Sequence, residues 1–137
     1  MAPPILLDTC ALIWIAEEAP LKQSALTALN EAQGAEKVYV SPISAWELGL
    51  LTARRRFNPV MALDVLFQRF LEMPGMALAP LPPSTLIASS FLPDTPPNDP
   101  ADRIIIATAR AEGFRVMTRD HLILGYGASG HVATIAC

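Results

Sequence analysis

Short blocks of uninterrupted apolar residues alternate along this chain with longer stretches in which apolar residues recur every three or four positions. The first pattern suits a strand buried on both faces and the second an amphipathic helix. Ile5-Leu6-Leu7, Val38-Tyr39-Val40, Met76 to Leu81, Arg115 to Thr118 and Val132 to Ile135 read as five strands. Helices are predicted over 11–17, 21–31, 42–55, 59–72, 83–91 and 102–112, with a helical turn or short helix over 121–124.

Residues with strong backbone preferences mark the boundaries. Pro20, Gly34 and Gly113 each close a helix, and Ser41-Pro42 supplies an N-cap followed by a first-turn proline. The stretch 93–100 holds prolines at 93, 96, 97 and 100 and reads as a loop, as does Gly125 to Gly130. Strands alternating with helices call for a parallel sheet covered on both faces, an α/β fold. No repeat and no long linker interrupts the 137 residues, so 1–137 is read as one domain.

Composition narrows the class. Apolar residues make up 52% and charged residues 17%, yet no apolar run approaches the length of a membrane-spanning helix. Met1-Ala2-Pro3-Pro4 has neither a basic segment nor a long apolar one, so no signal peptide is read and a cytoplasmic, membrane-free protein is expected. Cys10 and Cys137 lie near opposite ends with no CxxC pair, which suits free thiols rather than a zinc site or disulfide. A net charge of -3 argues against tight phosphate binding by basic side chains alone. Carboxylates loaded with metal would remove part of that objection.

The acids fall where such a sheet binds ligands, beyond the carboxyl ends of its strands. Asp8 follows the first strand, Asp120 follows the fourth, Asp99 and Asp102 open a helix, and Glu47 lies two turns into the helix after the second strand. Each aspartate also has an ordinary role as a helix cap, worth ~0.5–2 kcal/mol. Glu47 does not. Its neighbours one turn away are Ile43, Leu50 and Leu51, with no lysine or arginine on that face. Burying an unpaired carboxylate there is costly, and nearby acids add to the cost unless a cation sits among them. Oxygen donors of this kind suit Mg²⁺ or Mn²⁺.

Four segments together resemble the PIN-domain ribonucleases, and among them the VapC-type toxins of bacterial toxin–antitoxin pairs. They are Ile5-Leu6-Leu7-Asp8-Thr9-Cys10-Ala11-Leu12, Ser41-Pro42-Ile43-Ser44-Ala45-Trp46-Glu47-Leu48, Asp99-Pro100-Ala101-Asp102-Arg103-Ile104-Ile105-Ile106-Ala107 and Thr118-Arg119-Asp120. Each motif is weak singly; in this order along the chain they are specific. The resemblance implies a three-layer α/β/α sandwich on a mostly parallel sheet of about five strands. It implies Mg²⁺- or Mn²⁺-dependent endonucleolytic cleavage of RNA, a cognate antitoxin protein and a homodimer. Asp8 and Asp102 match the main metal ligands, Glu47 the third acid and Asp120 the fourth. Thr9, Ser44, Asp99 and Thr118 take supporting positions, and Arg103 and Arg119 are candidates to touch substrate or pair with a carboxylate. This subgroup often has a histidine just before the Asp99-Pro100 element; here Thr95-Pro96-Pro97-Asn98 stands instead.

On that reading Glu47 or Asp120 accepts or orients the proton of the attacking water, and cleavage leaves a 5′-phosphate and a 3′-hydroxyl. Arg54-Arg55-Arg56 reads first as charge at a helix C-terminus and second as a phosphate-tracking patch. His121 is placed at a helix start and His131 has no role. Leu12 to Ile15 and the helix around Leu63 to Leu71 pack a core, with some of these residues available to line an antitoxin groove. The alternatives are a catalytically silent module that binds RNA or protein, and a phosphatase with Asp8 as nucleophile. The second wants another aspartate two residues on, where this chain has Cys10. Gly125 to Gly130 lacks the following Lys-Ser/Thr of a phosphate-binding loop.

Overall fold

A computed structural model describes residues 2–137. The strands are β1 (Ile5–Leu7), β2 (Val38–Val40), β3 (Met76–Leu78), β4 (Arg115–Thr118) and β5 (Ala133–Ala136). The helices are α1 (Thr9–Ala16), α2 (Gln23–Gly34), α3 (Pro42–Ala53), α4 (Leu63–Glu72), α5 (Pro83–Ala88), α6 (Pro100–Glu112) and α7 (His121–Ala128). All five strands pair in parallel in the order β3-β2-β1-β4-β5, which leaves β1 in the middle. Leu7 stands opposite Val40 on one side and Met117 on the other. That register brings the carboxyl ends of β1, β2 and β4 level with one another.

Alternation along β1 builds two cores. Ile5 and Leu7 point to one face and pack with Leu12, Leu29, Val38, Val40, Phe70 and Met117. Leu6 points to the other and packs with Ile105, Ile106, Phe114, Val116 and Ile123. Ile5, Leu6 and Leu7 are all fully buried, each worth about 1.5–3 kcal/mol relative to exposure. Helices α1, α2 and α4 thus cover one face and α6 and α7 the other, the expected sandwich. A half-buried antiparallel strand would alternate apolar and polar; three consecutive apolar residues reflect burial on both sides.

Several boundaries differ from the sequence reading, each for a local reason. Helix α1 starts earlier, at Thr9, because Asp8 caps it by accepting from Ala11 N at 2.7 Å. Strand β3 stops at Leu78 because its partner β2 stops at Val40; Ala79 N still reaches Val40 O at 2.8 Å. Helix α4 begins at Leu63 rather than 59, since Val60 is 91% exposed and has no apolar surface to face.

The largest correction concerns 125–130, expected as a loop. Helix α7 runs on through Gly125 and Gly127 to Ala128. Ile123 and Tyr126 are buried beneath it and anchor it to the second core. Gly127 lies directly under β5: a Cβ there would come within 2.7 Å of Thr134 Cγ2 and 3.0 Å of Val132 O. The glycine that argued for a loop is there to let a helix approach a strand. Gly113, by contrast, ends α6 as expected, in the left-handed conformation at φ 74°.

Candidate active site at the carboxyl edge of the sheet

Asp8 sits at the carboxyl end of the central strand and is only 6% exposed. Oδ1 takes the Ala11 N–H and Oδ2 takes the hydroxyl of Thr118, from the end of β4. The same Thr118 oxygen accepts from Asp120 N at 3.0 Å. Asp120 then caps α7, accepting from Leu122 N at 2.8 Å and Ile123 N at 3.2 Å. Thr118 therefore ties two of the expected acids together. Its own place is fixed by β4, where Thr118 pairs with Ala136 and is fully buried.

Glu47 enters from α3, whose start is the Ser41 cap, with Ser41 Oγ accepting from Ile43 N at 3.1 Å. The carboxylate is half-buried, and Oε1 takes the hydroxyl of Thr9 from the first turn of α1. Thr9 Oγ1 also stands 2.9 Å from Ser44 Oγ, one turn before Glu47 on α3. Asp102 comes from the first turn of α6, a helix begun by Asp99, which accepts from Asp102 N at 3.0 Å.

The electrostatics unite these segments. Burial pushes the Asp102 carboxyl up to about 7, and the charges of Asp99, Asp120, Glu47 and Asp8 push it the same way. Burial raises Asp8 as well, against the lowering effect of the Thr118 and Ala11 hydrogen bonds. Glu47 is raised by burial and by Asp99 and Asp8, against the Thr9 hydrogen bond. The four acids share one cleft and lack a cation among themselves: the one ion pair found among the described residues is His131 with Asp94, elsewhere.

Among the described residues no three His, Cys, Asp or Glu side chains are gathered closely enough to grip a metal ion. The sequence reading made one centre of the four acids; they share a cleft but stand apart within it. Two of them, Asp8 and Asp120, each have an oxygen turned back to a helix end. The donors nevertheless fit a hard divalent cation. All are carboxylate oxygens, and a carboxyl raised to about 7 by burial and by neighbouring acids is one that a nearby positive charge would ionise.

Other expected residues are placed as follows. Arg103 Nε donates to Pro97 O at 2.7 Å and pins the proline loop that leads into α6. The Arg119 guanidinium lies 4.0 Å over the Trp14 ring and donates to Pro20 O at 2.6 Å. Neither arginine pairs with a carboxylate. Arg54, Arg55 and Arg56 are exposed at the end of α3, and His121 is the exposed first residue of α7. His131 is bonded to Asp94 at 2.7 Å.

Cys10, read from the sequence as a free thiol two residues after Asp8, is exposed in the first turn of α1. Partial desolvation, then the charges of Asp8, Glu47, Asp102 and Asp120, push its thiol up to about 11.

Fold and cleft define a class: an α/β/α protein whose parallel sheet presents oxygen donors at its carboxyl edge. The chain belongs to the PIN domain family, whose model matches residues 5–124. It is 32% identical over 117 residues to Ribonuclease VapC22 of Mycobacterium tuberculosis, covering 85% of this chain and 86% of that protein. Solved structures share the fold. The crystal structure of VapBC2 from Rickettsia felis, bound to a DNA fragment from its promoter, superposes with a TM-score of 0.64 at 13% identity, over 96% of this chain and 97% of that one. FitAcB from Neisseria gonorrhoeae superposes at 0.55 with 24% identity, over 96% of each chain.

Proposed function

We propose that this chain is a Mg²⁺- or Mn²⁺-dependent endoribonuclease acting as the toxin of a toxin–antitoxin pair. The observation that carries the reading is the electrostatics of the carboxyl edge: the charges of Asp8, Glu47 and Asp120 all reach Asp102, in a chain 32% identical to a ribonuclease relative. Asp8, Asp102, Glu47 and Asp120 would hold the cation. What a bound cation supplies is positive charge against the phosphodiester oxygens and a lowered pKa for the attacking water.

The chain's own groups do the rest. Thr118 and Ala11 fix both oxygens of Asp8, so that it meets a ligand in one orientation. Thr9 donates to Glu47, and the reading gives Glu47 or Asp120 the task of taking or orienting the water proton. Arg103 and Arg119 each donate to a loop carbonyl, and the reading gives their remaining N–H groups to RNA phosphates. For the antitoxin, a cavity of about 300 Å³ between α3 and α4 is lined by Ala45, Leu48, Leu63, Asp64, Phe67 and Gln68. A mostly apolar groove between two helices suits an amphipathic segment of a partner.

The test is cleavage of RNA by the full chain with Mn²⁺, then with EDTA, and by Asp8→Asn. Metal-dependent appearance of new 5′-phosphate ends, lost in the variant, supports the reading. RNA binding with no new ends under any metal would instead make the chain a silent binding module.

A further inference from the structure

Ser44 is fully buried, yet it is not one of the acids and does not cap its helix. Packing alone does not explain it, since alanine would fill nearly the same space without a hydroxyl to dehydrate. Its Oγ stands 2.9 Å from Thr9 Oγ1. A hydroxyl carries one hydrogen, and that of Thr9 goes to Glu47 Oε1. Thr9 therefore has only lone pairs left for Ser44, and Ser44 must be the donor. The order of donation is fixed: Ser44 to Thr9 to Glu47.

The placement supports the same reading. Ser44 and Glu47 lie three residues apart on α3, hence on one face, and Thr9 comes from α1 opposite them. One threonine thus touches both the acid and the residue a turn before it. Donation from Ser44 polarises the Thr9 O–H and strengthens its bond to the carboxylate.

We infer that Ser44 and Thr9 form a directed hydroxyl relay that holds the Glu47 carboxylate in one orientation toward the cleft, with Ser44 acting on the centre only through Thr9. Both are positioning residues rather than catalytic ones. The inference rests on the metal-dependent reading above and deepens it.

The experiment is Mn²⁺ titration of the metal-free full chain by calorimetry, with thermal melting to verify folding. The proteins are wild type, Thr9→Val, Thr9→Ser, Ser44→Ala and the Thr9→Val/Ser44→Ala double variant. Thr9→Val should weaken Mn²⁺ binding about 10–100-fold, the usual range for a lost supporting bond, and Thr9→Ser should restore it. Ser44→Ala should give a smaller loss. That loss should vanish in the Thr9→Val background, because a relay has no second route. RNA cleavage should show the effect in kcat rather than in KM. Should Thr9→Val not fold, Thr9→Ser and Ser44→Ala decide: retained binding in the first with weakened binding in the second supports the relay. Wild-type binding with unchanged Ser44→Ala, or with losses that simply add, overturns the relay and leaves the metal reading standing. No Mn²⁺ binding by folded wild type overturns both.

Discussion

The Thr118 hydroxyl donates to Asp8 across 110 residues of sequence, and the same oxygen receives the Asp120 N–H. One buried side chain thus sets the position of two acids. Thr118→Val keeps the shape and removes both bonds. It should cost about 1–3 kcal/mol of stability by urea denaturation, the price of an unsatisfied buried acceptor and donor. RNA cleavage should fall about 10–100-fold, as is usual when a supporting partner of a metal ligand is lost.

Asp102→Asn should separate activity from stability. The variant should lose metal-dependent cleavage, since an amide is a poor ligand for a hard cation. Its metal-free form should melt at a higher temperature than wild type at pH 8, because a carboxylate penalised by burial and repelled by Asp99, Asp120, Glu47 and Asp8 is gone. A lower melting temperature at that pH would show that Asp102 is held by attractions rather than strained by repulsion.

The raised Asp102 fixes the sign of a pH effect. Its folded pKa is about 7 against the ordinary carboxyl value of 3.8, so between these values the folded chain holds a proton that the unfolded chain has lost. That proton stabilises the fold, and its contribution declines as pH rises from about 4 through about 7. Asp8 and Glu47, both also raised, act in the same direction. Metal-free melting temperature should therefore carry a downward component over this window. Added Mn²⁺ should stabilise more at pH 8 than at pH 5, with protons released on binding in the acidic range. Equal stabilisation at both pH values would count against carboxylate ligands.

Two glycines in α7 give a paired test of packing. Gly125→Ala meets nothing within 4 Å and should gain up to about 1 kcal/mol of helix propensity. Gly127→Ala drives a methyl against Thr134 and the Val132 carbonyl and should lose about 1–3 kcal/mol despite the same propensity gain. Chemical denaturation of the two variants should move in opposite directions.

Much of this was legible in the chain because independent signals agreed. Ile5-Leu6-Leu7 is apolar at every position, which only a strand buried on both faces requires, and it ends on a cap that is also an acid. Ser41-Pro42 marked the start of α3 correctly, whereas α6 begins at Pro100, two residues before the expected Asp102, because Asp99 caps it. What misled was glycine. Gly125 and Gly127 weigh toward a loop in any local reading, and only the distant Thr134 explains Gly127. The supporting bonds were likewise invisible. Thr9 to Glu47 and Thr118 to Asp8 are separated by 38 and 110 residues, so residue type suggested support without naming the partner. The stacking of Arg119 on Trp14 was hidden too, since it depends on where α1 ends up.

The central position of β1 has a consequence for synthesis. This strand is the first translated, yet one of its two neighbours, β4, begins only at Arg115. A ribosome that has reached residue 114 has made β1, β2 and β3 together with Asp8, Glu47 and Asp102. The nascent chain still lacks Thr118, which orients Asp8, and it lacks Asp120. The carboxyl edge is therefore assembled only once β4 has docked beside β1 and brought Thr118 to Asp8.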